Sequence, residues 1–318
     1  MGERMYGELA LFSGRANPEL AQEIADYLGV PLREADVFEF PNGNTYVRLH
    51  KSVRSHDVFL IQTVCSPVNQ NLMELLIFID TLRRDSAGRI TAVTPYLAYA
   101  RSDKKHEPRV PIAARLVADL ISAAGADRWM TIDLHAGQIQ GFFSIPGDEL
   151  TAFHLLSDYF LKKELDDAVI VTGDLGFAKK GRNFAAKLGL PMAFVEKRRG
   201  GDGSETEALT VIGEVKGKDV IVVDDEVATA GTAVQAVNIV KEHGAKDVYL
   251  SFTHPILVPP AADRLRELPI KEIVTTNTLP LPPQKRLPNM TVLSVAPLLA
   301  EVIRRVHLGL SVGEMFGE

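Results

Sequence analysis

The stretch VIVVDDEVATAGTAVQAV, residues 220–237, sets two acids, two threonines and several small residues between a β-branched run and a helical pattern. Val220, Ile221, Val222 and Val223 suit a strand buried on both faces of a parallel sheet, which the chain is expected to leave at Asp224. From Gly231 onward Ala233, Val234, Val237 and Val240 recur at the spacing of one helix face. The ATAGT between them is then a strand-to-helix turn whose backbone N–H groups point outward at the helix start, a place that favours an anion. Thr229 and Thr232 supply hydroxyls, Ala230 and Gly231 leave room for close approach, and a phosphate monoester suits such a turn. Asp224 and Asp225 would repel that phosphate, but they could accept hydrogen bonds from vicinal hydroxyls or hold water around Mg2+. A sugar phosphate satisfies both halves; the plainer alternative is a capped βα turn with two solvated acids.

Other segments offer chemistry of the same kind. In TIDLHAGQIQGFF, Asp133 and His135 follow a strand pattern, with Gln138 and Gln140 close by. His135 there suits a metal ligand or a phosphate contact as well as a structural role. TPYLAYARSDKK brings Arg101, Lys104 and Lys105 to a strand end, where arginine could grip a polyphosphate or stack on a base, or where the charges could simply be solvated. VTGDLGFAKKGRNFA places Asp174 at another strand end, able to reach Mg2+ or to serve as a turn acid near a helix start. EKRRGGDGSETEA, residues 196–208, joins basic residues to glycines, as an exposed β-hairpin loop or as a lid over phosphates.

These positions need a scaffold, and the chain supplies an alternating one. Strand-like runs recur at residues 9–12, 58–62, 90–95, 129–133, 168–172, 220–224, 248–253 and 272–276, with helical patterns between most of them. In NLMELLIFIDTLRRDSAG, Leu72, Leu75, Leu76 and Ile79 share a face and the helix is expected to close in a glycine; RVPIAARLVADLISAAGA repeats the device. Such alternation implies right-handed βαβ units, parallel sheets and ligands at the carboxyl ends of the strands. The first half is expected to end at the SIPGDEL turn near Gly147, and the second opens with a helix from Thr151. A final helix carries Leu298, Leu299, Val302, Ile303 and Val306 on one face and must pack on something.

Composition narrows the function classes. The 318 residues suffice for two domains of ordinary size, and a net charge of −6 argues against general nucleic-acid binding, which needs a basic surface. No apolar run is long enough to span a membrane and the first residues lack the apolar core of a signal peptide. The single cysteine, Cys65, forms no internal disulfide and reads as a small buried hydrophobe, consistent with a reducing cytoplasm.

The segments YARSD, RVPIAARLVADL, ADLISAAGADR, DLHAGQIQGFF, EKRR, VVDDEVATAGT, THPI and LLAEVIRRVH fall in the order and spacing found in ribose-phosphate pyrophosphokinases, also called phosphoribosyl pyrophosphate synthetases. The resemblance covers nearly the whole chain. It implies an α/β fold of two similar phosphoribosyltransferase-like domains, each a mainly parallel sheet flanked by helices. Residues 1–149 would form the nucleotide side, residues 150–295 the ribose 5-phosphate side, and the helix in 296–318 would pack back on the first domain. The implied reaction moves the diphosphoryl group of ATP to the anomeric hydroxyl of ribose 5-phosphate, leaving AMP.

By the same resemblance Lys197 is the catalytic lysine and Arg199 a neighbouring phosphate-binding arginine. Phe40, Asn42, Gly43, Asn44, Arg101, Ser102 and His135 match the nucleotide site, and His135 and Asp174 the Mg2+ contacts. Asp224, Asp225, Ala228, Thr229, Ala230, Gly231 and Thr232, with Arg199, match the ribose 5-phosphate site. The implied setting is cytoplasmic, without nucleic acid or membrane, in a homo-oligomer for which a hexamer of dimer units is one form. Two departures stand out: Asn42 and Asn44 replace an aspartate and a glutamate common in the family, and Ala228 and Ala230 replace the aspartate and first glycine of the phosphate turn. A non-catalytic regulatory relative, and more distantly a phosphoribosyltransferase, are the competing readings; the latter leaves DLHAGQIQGFF unexplained.

Overall fold

A computed structural model describes residues 6–163, 165, 167–173, 176–199 and 207–316. The chain divides into two compact units, Met1–Leu150 with Thr278–Pro280 and Ser294–Glu318, and Thr151–Asn277 with Leu281–Leu293. Each unit is built on its own sheet.

In the first unit β1 (Leu9–Ser13), β4 (Asp57–Ile61), β5 (Arg89–Thr94), β6 (Arg128–Ile132) and β7 (Gly147–Leu150) form a five-stranded sheet in that order, every pair parallel. A separate antiparallel hairpin of β2 (Ala35–Glu39) and β3 (Thr45–Leu49) follows α1 (Pro18–Leu28). β4 and β5 are buried along their whole length, which explains the apolar run Val58–Ile61 of β4, while β5 buries Arg89, Thr91 and Thr94 between its apolar residues. Helices α2 (Val68–Arg84) and α3 (Ala113–Ala124) pack on each other. α3 ends as expected, with Gly125 left-handed at its C-cap. α2 does not: its C-cap is Asp85, and Gly88 is needed instead for close approach, since a Cβ there would lie 2.7 Å from the Ser55 carbonyl oxygen.

The second unit contains α4 (Phe153–Leu161), β8 (Ala168–Thr172), α5 (Ala178–Leu188), β9 (Met192–Arg199), β10 (Glu207–Ile212), β11 (Asp219–Val227), α6 (Gly231–Glu242), β12 (Val248–Pro255), α7 (Ala261–Arg266), β13 (Glu272–Thr276) and β14 (Met290–Leu293). Its sheet runs β10-β9-β8-β11-β12-β13-β14, parallel throughout except for β10 against β9. After β8 the chain builds outward to β9 and β10, then returns to lay β11 on the other side of β8. The carboxyl ends of β8 and β11 therefore flank a topological switch point, where connections diverge and leave a crevice. The sequence reading lacks β2, β3, β7, β9, β10 and β14; SIPGDEL, expected as a turn, contains β7. β2, β3, β7 and β14 are strands of four or five residues that pairing rather than composition defines, and the apolar run of β9 stops after Val195, where charged residues follow.

The last helix, α8 (Ala296–Leu308), belongs to the first unit and packs on α1, burying Leu299, Val302, Ile303 and Val306. A buried ion cluster anchors its end. Asp57, fully buried at the start of β4, accepts hydrogen bonds from Arg89 Nε and Nη2 at 2.8 and 2.6 Å. His307 Nδ1 lies 2.8 Å from the same carboxylate, and Arg89 Nη2 also donates to the Val306 carbonyl at 3.0 Å. Among the described residues no helix is long and apolar enough to cross a membrane.

Asp57→Ala would leave Arg89 buried without its carboxylate, a change that costs about 3–5 kcal/mol. The expected result is a lower urea midpoint with an unchanged slope, and a midpoint equal to that of the parent would refute the anchoring role.

Candidate functional site

In the second unit β11 runs further than the sequence suggests. The chain does not leave the sheet at Asp224: Asp224 pairs with Phe252, Glu226 with His254 and Val227 with Pro255, because β12 offers a parallel partner along the whole extension. Asp224 and Asp225 are thus consecutive strand residues, and their side chains point to opposite faces of the sheet. They cannot act as one carboxylate pair. Asp224 is half-buried and its Oδ1 accepts a hydrogen bond from the Asp225 N–H at 2.9 Å, while Asp225 is only 6% exposed.

The turn that follows is compact. α6 begins at Gly231 with no side chain capping its first amides, so those donors remain for a ligand or solvent. Thr229 and Thr232 are exposed, placing their hydroxyls at the surface of the turn. Gly173, directly after β8, lets α6 come close: a Cβ there would lie 2.9 Å from Thr232 Cγ2. Ala230 is the helix N-cap in the left-handed region, at φ 63°, a conformation that favours glycine. Its methyl group is buried, 4% exposed, among Val227, Ala233 and Leu257. The left-handed backbone costs an alanine roughly 1–2 kcal/mol. The buried methyl returns about 0.8 kcal/mol, and avoiding a glycine's extra entropy returns roughly 0.5–1 kcal/mol. These nearly cancel, which is how alanine can stand there.

The backbone of Lys197 and Arg199 lies in β9, paired with Leu209 and Glu207 of β10. Their side chains, Asp174, and residues 200–206 of the candidate lid lie outside the described residues.

In the first unit Phe40, Asn42, Gly43 and Asn44 form the exposed tip of the β2–β3 hairpin. The Phe40 N–H donates to the Asn44 carbonyl at 2.9 Å, Gly43 takes a positive φ of 85°, and Asn42 Oδ1 accepts the Asn44 N–H at 3.1 Å. Asn42 thereby closes an Asx turn, a task that needs only an acceptor and that aspartate performs equally. Phe40 stands with Phe38 and Tyr46 in an exposed aromatic cluster, ring centroids 5.0–5.5 Å apart.

The sequence reading overlooked what roots this loop. Arg15, just beyond β1, donates through Nε to Glu74 at 2.6 Å and through Nη2 to Glu39 at 2.9 Å. Glu74 is buried and also accepts from Gln62. The hydrogen bonds from Arg15 and then Gln70 hold the Glu39 carboxyl below its usual range. FSGRAN, a polar turn leaving a buried strand, was the available signal. At the hairpin's other end His50 contacts Asp36 at 2.7 Å and Glu34 at 3.1 Å, and these two acids raise its pKa.

Arg101 is exposed in the connection after β5. Ser102 has structural work: its Oγ accepts the Ala113 N–H at 3.2 Å and its carbonyl the Ala114 N–H at 3.1 Å, satisfying the first turn of α3 from outside the helix. His135 is exposed beyond β6, in a segment held by bonds from Gln138 to Asp103, from Gln140 to Glu149, and from the Leu134 N–H to Glu149 at 3.0 Å. Arg101, Ser102 and His135 thus follow the carboxyl ends of neighbouring strands, and Arg15 ties the hairpin root beside the end of β1. Among the described residues no group of three or more His, Cys, Asp or Glu side chains is placed to cage a metal. Of the residues assigned to a metal, His135 is described, and its exposed position beyond β6 leaves its imidazole accessible to one.

Comparison with known proteins agrees with the fold. The family profile for the N-terminal domain of ribose phosphate pyrophosphokinase matches residues 9–125, and that for the phosphoribosyl synthetase-associated domain matches residues 202–317. The chain is 51% identical to a ribose-phosphate pyrophosphokinase of Caldanaerobacter subterraneus, over 98% of this chain and 99% of the relative. It is 50% identical to that of Campylobacter jejuni, over 96% and 98%. The crystal structure of phosphoribosylpyrophosphate synthetase from Mycobacterium smegmatis superposes with a TM-score of 0.90 at 47% identity, covering 94% of this chain and 99% of that one.

Ala230→Gly is expected to change stability by less than about 1 kcal/mol in urea titration, whereas Ala230→Val, β-branched at positive φ, should cost about 2 kcal/mol or more. For His50 the raised pKa stabilises the hairpin fully below its ordinary value of about 6.5, and the contribution is lost as pH rises through the raised value. An NMR titration of His50 should show its midpoint fall in Asp36→Asn; an unmoved midpoint would remove Asp36 as the cause.

Proposed function

The chain belongs to the ribose-phosphate pyrophosphokinase family, and from that premise we propose that it transfers the β,γ-diphosphoryl group of ATP to the anomeric hydroxyl of ribose 5-phosphate, giving 5-phosphoribosyl 1-diphosphate and AMP. The observation that carries the sugar-phosphate half is the α6 N-terminus, uncapped by any side chain and set directly after an acid-bearing strand end at the switch point of the sheet. In this reading the amides and hydroxyls of residues 228–232 receive the 5-phosphate. Asp224 accepts hydrogen bonds from the ribose hydroxyls; Asp225, on the opposite strand face, acts through the backbone and the sheet.

The nucleotide is assigned to Phe40, whose ring offers a stacking surface, and to Arg101, Ser102 and His135, with Asn42 shaping the loop and Asn44 at its edge. Since Asn42 is engaged in its own turn, discrimination between bases is assigned to Asn44 and the backbone rather than to the Asn42 amide. The step is an in-line displacement. The anomeric oxygen bonds to the β-phosphorus, the bond from that phosphorus to the α-phosphate oxygen breaks, AMP leaves with the electron pair, and the hydroxyl proton passes to solvent. Lys197 and Arg199 stabilise charge on the transferring oxygens. His135 and Asp174 would hold Mg2+, which when bound neutralises polyphosphate charge. We assign the enzyme to the cytoplasm, in keeping with its single buried thiol, and to a homo-oligomer, in keeping with the exposed Leu116 and Leu120 on α3.

Incubation with ATP, Mg2+ and ribose 5-phosphate should yield AMP only when the sugar phosphate is present; AMP without it, or none at all, would overturn the reading. Lys197→Ala should lower kcat by about a hundredfold or more while the circular dichroism spectrum stays unchanged, because a cation aimed at developing charge acts mainly in the transition state.

A further inference from the structure

The turn after β11 is held from behind. The Leu257 N–H donates to the Val227 carbonyl at 3.0 Å, the Val258 N–H to the Ala228 carbonyl at 3.0 Å, and Arg264 Nη1 to the Thr229 carbonyl at 3.0 Å. Three successive carbonyls are thus taken by residues 257–264 alone. In a trans peptide the C=O of one residue and the N–H of the next lie in one plane and point in opposite directions. Fixing those carbonyls therefore turns the N–H groups of Ala228, Thr229 and Ala230 away from residues 257–264. The holding segment is itself held: Lys285 Nζ donates to the Ile256 carbonyl at 2.6 Å, and the Ile256 N–H to the His254 carbonyl at 3.0 Å. Leu257, buried at 1% exposure, keeps a positive φ of 43°, a backbone state that persists only where the surroundings impose it.

We infer that residues 256–258 and Arg264 form a clamp that aims the amides of the phosphate turn, with Arg264 a positioning residue for the phosphate of a sugar phosphate. The inference rests on the assignment of that turn proposed above. Two of the tethers are backbone bonds that only a proline would remove; the third depends on Arg264, which reaches from the exposed side of α7 to the peptide plane preceding Ala230. That plane carries the last amide before the helix, at the residue whose left-handed backbone is least favourable for its type. Without Arg264 the peptide is free to rotate and the amide must be ordered by the ligand, so affinity falls while chemistry at the distant anomeric centre proceeds unchanged once the sugar phosphate is bound.

The test uses the full-length protein, with titration of ribose 5-phosphate by calorimetry and steady-state kinetics in both substrates. Arg264→Ala should weaken ribose 5-phosphate about tenfold, with kcat and the KM for ATP unchanged within about twofold. Arg264→Lys, which can still donate one hydrogen bond, should recover part of the loss. Equal weakening of both substrates, or a fall in kcat alone, would show a general structural role and overturn the clamp. Thr232→Val, which removes a hydroxyl from the turn itself, separates the two levels of the argument. If it weakens ribose 5-phosphate while Arg264→Ala does not, the clamp is wrong and the cradle stands. If neither variant affects ribose 5-phosphate, the cradle assignment falls and the clamp with it.

Discussion

A peptide group whose carbonyl is held on one side presents its N–H on the other. That constraint organises the second unit. β11 must end where β12 still runs beside it, so that residues after Pro255 can supply donors to carbonyls 227 and 228. β8 must be followed by Gly173, or the first turn of α6 could not approach it. The acidic pair must stay in the strand, which separates Asp224 from Asp225 across the sheet. Each feature has its own local cause, and together they leave the amides at the start of α6 facing outward without a capping side chain.

Two of the residues the sequence singles out, Ala230 and Asn42, sit where backbone, rather than side chain, carries the geometry. Ala230 trades left-handed strain for a buried methyl group and a smaller entropy loss. Asn42 supplies the same acceptor to the hairpin turn that an aspartate would. In both cases the backbone path survives a change of side chain because the remaining interactions already specify it. Just behind the hairpin tip stands an ion pair, Arg15 with Glu39, backed by buried Glu74. Loop orientation is thereby tied to β1 and α2 rather than to the loop's own residues.

The alternating pattern of the chain was enough to determine the class of fold. Val169, Val171, Val220 and Val222 are buried on one face of the sheet and Ile170, Ile221 and Val223 on the other, so the apolarity of β8 and β11 is continuous and visible in one dimension. The helix starting at Gly231 and the close of α3 at Gly125 were legible for the same reason: periodicity and a left-handed glycine are local properties. The family resemblance was likewise readable from segment order, and it extends over both units.

What the sequence could not contain is which surfaces the pairing partners would occupy. The end of β11 depended on the length of β12, so the place where the chain leaves the sheet shifted from Asp224 to Val227. The hairpin of β2 and β3 has exposed aromatic residues on one face and only the short stripe of Ala35, Val37, Val47 and Leu49 on the other, and its register comes from cross-strand pairing and from the Asn42 turn. Arg15 meets Glu74 across 59 residues, and Arg264 meets the Thr229 carbonyl across 35, contacts without sequence periodicity to announce them. Residue types and their spacing determined by themselves that a turn of small residues and hydroxyls opening a helix would follow an acid-bearing strand. Only the tertiary structure decided which way the amides face, because that direction is set by hydrogen bonds from another part of the chain.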